Sequence, residues 1–231
     1  MLAFVALFLP LVAAAQGDLP HISHRGVELY AVAPKPDAKF DVPIVSSDKG
    51  LESMRAALDV LMARSHLSAE AIGTLQKHGR VILVYDPNYP EYQMIGYTVA
   101  AFFPKYFREN GDFLVRVGRH GIKWPAAELG AVLAHELVGH GMQRLRGEAG
   151  KMRPLDRECE AWLYEEQAYQ DLGVDKSTKR MVEFRKQLEE RECSDFKRYQ
   201  DAAAPATLKL WEARNPNVPR LLAVFHEFVA R

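Results

Sequence analysis

Residues 126–141 read AAELGAVLAHELVGHG and come directly after Pro125. Proline suits the first position of a helix, where its missing N–H would have no partner anyway. Ala and Leu dominate the first half of the stretch. Leu129, Val132 and Leu133 fall at three- and four-residue steps, so the stretch reads as a helix that packs inward. His135, Glu136 and His140 stand near its end.

Two neutral imidazoles are good zinc ligands, and a carboxylate beside them can take a proton from water on the ion. The usual zinc-peptidase motif sets its histidines four residues apart, about 400° around a helix, so that both rings share one face. Here they are five apart, about 140° from one another on a regular helix. The spacing therefore predicts a single-turn π-bulge, with Gly139 beside the second histidine where a distortion costs least. With 8 His and 18 Glu in the chain, shuffling yields His-Glu-x-x-x-His in roughly 2 % of trials. Chance is the poorer reading.

A catalytic zinc takes three protein ligands and keeps a fourth position open. Beyond His140 the acidic candidates are Asp156, Glu158, Glu160, Glu165 and Glu166, on a helix expected from Asp156 to near Gly173. Glu158 is the first choice and Glu160 the alternative. With Glu160 as ligand, Tyr164 one turn on would orient it or stabilise an oxyanion.

The segment His135-Glu136-Leu137-Val138-Gly139-His140 resembles the His-Glu-x-x-Gly-His motif of the dipeptidyl peptidase III family of zinc peptidases. That family draws its third ligand from a downstream Glu-Glu-Cys-Arg-Ala-Glu segment. The corresponding stretch here is Arg157-Glu158-Cys159-Glu160-Ala161-Trp162. The resemblance sets His135 and His140 at the metal-binding histidines, Glu136 at the catalytic glutamate and Glu158 at the third ligand. Arg157, Glu160 and Trp162 depart from the pattern, and only these two segments are covered. More widely the resemblance is to the zincins, which implies a small sheet with an edge strand, an active-site helix and a third-ligand helix.

Outward from the motif, the chain reads as a predominantly helical α+β domain over residues 48–231. Ser47-Asp48 reads as an N-cap pair for a helix carrying Leu51, Met54, Leu58 and Leu61, and a second helix is expected from Ser68 to Lys77. Arg80–Tyr85, Met94–Phe103 and Phe113–Val117 read as strands, the last as a sheet edge open to an extended peptide. One long helix is expected from Ser177 through Met181, Phe184, Leu188, Phe196 and Tyr199. Residues 16–47 read as irregular apart from a candidate short strand at Val27–Val32. His21 and His24 then belong to a mobile tail. His120 reads as a solvated loop residue, and Tyr89 and Tyr92 as loop aromatics within reach of a substrate.

Residues 1–15, MLAFVALFLPLVAAA, carry no charged side chain and end in small residues, the pattern of a cleaved signal peptide. Export to the periplasm or exterior is the expectation, with no stable membrane insertion after cleavage. An oxidising compartment permits Cys159 and Cys193 either a disulfide or two buried thiols. Lys+Arg and Asp+Glu balance at 30 each, which implies no attraction to nucleic acid. The chemistry expected is that of an exported zinc metallopeptidase acting on peptides or proteins. The alternatives are a zinc amidase of another substrate class and a non-catalytic, metal-stabilised binding protein.

Overall fold

The structure, a computed structural model, describes residues 19–90, 99–103, 111–148 and 150–231. Residues 1–15, Tyr92 and the first part of the Met94–Phe103 stretch lie outside these.

Alternation in the strands builds a five-stranded mixed sheet. β1 (His21–His24) and β2 (Val27–Ala31) form an antiparallel hairpin, and β2 runs parallel to β3 (Val81–Asp86). β5 (Phe113–Gly118) lies parallel to β3 and antiparallel to the short β4 (Ala100–Phe102), giving the order β1-β2-β3-β5-β4. Val27, Leu29, Ala31, Val81, Leu83, Tyr85, Phe113, Val115 and Val117 point to one face and join the main core, as a period of two requires.

Helices fill that face. α1 (Ser47–Arg64) buries Leu51, Met54, Ala57, Leu58 and Leu61, and α2 (His66–His78) comes next and closes on Gly79. Beyond the sheet, α3 (Ala126–Leu133) passes without a break into a π-helical segment, Ala134–Gly141, and then a short α4 (Met142–Leu145). α5 (Pro154–Leu172) lies across the π-helical segment and ends on Gly173 with φ 70°. α6 (Lys179–Gln187), a second π-helical segment (Leu188–Glu192), α7 (Ser194–Ala203) and α8 (Val218–Val229) complete the helical side. Cys159 and Cys193 form a disulfide with Cα atoms 4.8 Å apart, tying α5 to the residue after the second π-helical segment. The result is the predominantly helical α+β domain with a small sheet that the sequence implies. Among the described residues, no helix is long and apolar enough to cross a membrane.

Five expectations need correction. Residues 16–47 are not simply irregular: β1 and β2 turn at Arg25 and Gly26, both at positive φ, and place His21 and His24 in a strand rather than a tail. Helix α1 is capped by Ser46, whose side chain accepts from the Lys49 N–H, and α2 by Ser65. Phe113–Val117 is an interior strand, because β4 covers its outer side. His120 is not a solvated loop residue: its side chain is 11 % exposed and its Nε2 lies 3.0 Å from Asp41. The long helix from Ser177 is broken, because the π-helical turn and Cys193 separate α6 from α7.

Candidate metal centre

The π-helical segment resolves the five-residue spacing. Hydrogen bonds in such a turn run from i to i+5, which swings His140 back onto the face of His135. The two rings meet edge to face with centroids 4.9 Å apart. Gly139 lies within the π-helical segment, as expected, and it also makes room for a neighbour. A Cβ there would lie 2.6 Å from Ala161 Cβ and 2.7 Å from its Cα. The glycine lets α5 approach the histidine turn closely, and that approach delivers Glu158.

Both histidine Nε2 atoms face the same carboxylate. His135 Nε2 lies 3.5 Å from Glu158 Oε2, and His140 Nε2 lies 3.5 Å from Glu158 Oε1. A tetrahedral ion bound to N and O at about 2.0–2.2 Å spaces its ligand atoms about 3.3–3.6 Å apart. The N···O separations of 3.5 Å fall within that range. Ligand atoms of His135, Glu136 and His140 also lie within 4.8 Å of one another.

A partner on the far side of the His140 ring sets its tautomer. Gln143 Nε2 donates to the Arg157 carbonyl at 2.8 Å and to Glu160 Oε2 at 2.9 Å. Both are acceptors only, which leaves Gln143 Oε1 to face His140 Nδ1 at 3.0 Å. His140 therefore carries its proton on Nδ1 and presents a lone pair at Nε2 when neutral. His135 Nδ1 is 3.1 Å from Glu165 Oε2, although not aligned for a good hydrogen bond. The Tyr169 hydroxyl donates to the other Glu165 oxygen at 2.9 Å.

The electrostatics match a cation site. Burial opposes a charged His135, yet Glu158, Glu165 and Glu136 outweigh it and raise its pKa well above the ordinary value. Burial also works against an ionised Glu158, and His135 and His140 overcome it and hold the carboxyl below its usual range. Glu136 is different. Burial pushes its carboxyl up, with His135 and His140 pulling the other way. Its Oε2 accepts a 2.7 Å hydrogen bond from the Phe102 N–H of β4, so one oxygen is anchored on the sheet edge.

The five acidic candidates separate cleanly. Glu158 faces the histidines, and Glu165 backs His135. Asp156 is held by Arg153 at 2.6 Å, and Glu166 by Lys176. Glu160, the alternative ligand, is fully buried and occupied by Arg146 at 2.7 Å, His226 at 2.9 Å and Gln143. Tyr164 goes with that cluster: burial raises its phenol pKa, and Glu160 adds to the effect. Sequence reasoning missed Gln143 and His226. Gln143, three residues after His140, stands where a helical neighbour of that ring would be. No sequence signal singles out His226, which reaches Glu160 from α8.

Comparison with known proteins finds no match: no family model, no curated protein and no solved structure matches the chain.

Proposed function

We propose that the protein is a zinc-dependent metallopeptidase in which His135, His140 and Glu158 hold the ion and Glu136 is the general base. The observation that carries this reading is the convergence of two imidazole Nε2 atoms on one carboxylate, each at 3.5 Å, with a buried fourth side chain, Glu136, beside them. A bound zinc supplies Lewis-acid polarisation of the scissile carbonyl and eases deprotonation of water. Glu136 accepts a proton from the attacking water and returns it to the leaving amine as the C–N bond breaks. The Phe102 hydrogen bond fixes one Glu136 oxygen and leaves the other for this exchange. Export is part of the proposal, supported by the uncharged first fifteen residues and by the disulfide, which an oxidising compartment favours.

The test is Glu136→Gln, which keeps size and loses the base. Zinc content is expected to stay near one ion per chain. Peptide hydrolysis is expected to fall by about 10²-fold or more. Wild-type protein that takes up no zinc overturns the metal site. Full activity in the variant overturns the mechanism. Bound zinc without hydrolysis of any peptide or small amide would favour a metal-stabilised binding protein.

A further inference from the structure

Trp162 stands four residues after Glu158 on α5, so both lie on one face of the helix. Helical side chains lean toward the N-terminus, which lays the indole over the turn that carries Glu158. It meets the His135 ring in a T-shaped contact, with centroids 6.2 Å apart and planes at 75°. Phe184 of α6 stacks on the indole at 4.7 Å and 17°, and Tyr169 packs edge-on to Phe184 at 5.0 Å. The indole is thus clamped in one orientation, yet Trp162 and Phe184 both stay partly exposed. Glu158 is open too, with a side chain 44 % exposed.

A rigid, partly exposed aromatic surface beside ligand groups is a surface for an apolar side chain. We propose that Trp162, backed by Phe184, determines specificity at this site by receiving a large apolar side chain, aromatic or branched, of the bound peptide. This rests on the metal-site reading above and names the substrate class that the same site takes. Among the described residues, Glu158 is engaged with the histidines, and Arg180 is taken up by Glu128, by the Trp124 ring and by the Tyr169 hydroxyl.

The test is a binding measurement on zinc-loaded protein, independent of turnover. Two peptide hydroxamates are compared that differ only in carrying a benzyl or a methyl side chain next to the chelating group. The wild type is expected to bind the benzyl compound about 10-fold or more tightly, the scale on which an apolar pocket discriminates. Trp162→Ala should erase most of that preference at unchanged zinc content, and Trp162→Phe should keep most of it. Phe184→Ala, which removes the clamp but not the indole, should reduce it partway. Zinc-dependent binding with no preference in the wild type overturns this inference alone. So does a preference that survives Trp162→Ala. If neither hydroxamate binds in a zinc-dependent way, the metal-site reading falls and takes this inference with it. Should Trp162→Ala fail to fold, the Trp162→Phe and Phe184→Ala pair decides: an unchanged preference in Phe184→Ala overturns the proposal.

Discussion

The described residues make a π-helical turn twice, and the two turns differ in what they enclose. Ala134–Gly141 is buried almost throughout and directs His135, Glu136 and His140 inward against α5. Leu188–Glu192 buries Leu188 and Glu192 but leaves Glu190 and Arg191 exposed, while Glu189 pairs with Arg185 and Lys197. The first turn brings ionisable groups into a space shared with a second helix. The second turn changes helix direction and delivers Cys193 to Cys159. A π-helical turn is thus a means of rephasing side chains, and its chemistry depends on which residues are rephased.

The sharpest way to break this contrast is to remove a rephased side chain from each turn. His140→Ala should have the largest effect. Zinc-peptide binding of roughly 10–16 kcal/mol shared among the four ligands of such peptides implies about 2.5–4 kcal/mol for each. Zinc affinity is therefore expected to fall by about 10²- to 10³-fold, and hydrolysis with it. Competition with a chelator measures this, and retained affinity would remove His140 from the site.

Replacing Cys159 and Cys193 together by Ser should act on stability and not on metal. The bridge closes a loop of sequence separation 34, for which chain entropy gives about 3–4 kcal/mol. Denaturant unfolding of the variant should show a loss of that order, with zinc content unchanged in the folded protein. If zinc is lost while the fold is retained, the second turn also serves the site and the contrast fails.

A smaller effect is expected from the packing that joins the first turn to α5. Gly139→Ala places a methyl group within 2.6 Å of Ala161 Cβ. Overpacking of this kind costs about 1–3 kcal/mol. Ala161→Gly in the same chain should recover only part of it, since it removes the contact with the Ala161 Cβ but leaves the one with its Cα at 2.7 Å. Thermal unfolding of both single variants and the double variant measures the coupling. Simple additivity would show that Gly139 is not the point of closest approach.

The same contacts explain what was legible in the sequence. The Arg80–Tyr85 and Phe113–Val117 strands were readable as compact runs of apolar, β-branched residues, and the inward helix 126–141 because burial repeats along it. The five-residue histidine spacing, read together with a shared ion, called for a π-helical turn, since no regular α-helix brings both rings to one point. Two things were not readable. The β1–β2 hairpin turns on Arg25-Gly26, and Arg at positive φ is not a turn signal in the way that Asn-Gly is. The choice among five acidic residues depended on how α5 sits, which in turn depends on the Gly139–Ala161 approach. Glu158 and Glu160 are equally acidic in sequence. Only packing shows that Glu160 turns toward Arg146 and His226 instead.

The smallest effect, and the finest test of the contrast, concerns Gln143. Each π-helical turn has a glutamine at its border: Gln143 just after the first, and Gln187 just before the second, where its Nε2 lies 3.3 Å from Glu192. Gln143 is 1 % exposed, and its amide orientation is dictated by two acceptors, the Arg157 carbonyl and Glu160. Its oxygen then holds the Nδ1 proton of His140 and leaves the Nε2 lone pair on the side of Glu158. Replacing it by Met preserves bulk but removes that acceptor, so His140 loses its tautomer preference and orientation. Outer-shell losses of this type cost about 10–100-fold in metal affinity. The lower end is expected here, since Glu158 and His135 still hold their positions. Gln187→Met should leave zinc affinity unchanged, because its amide serves only Glu192. Chelator competition on the two variants in parallel decides the matter. Equal affinities in both would mean that His140 is oriented by its helix alone, and that the buried Gln143–Glu160 pair serves packing and not the site.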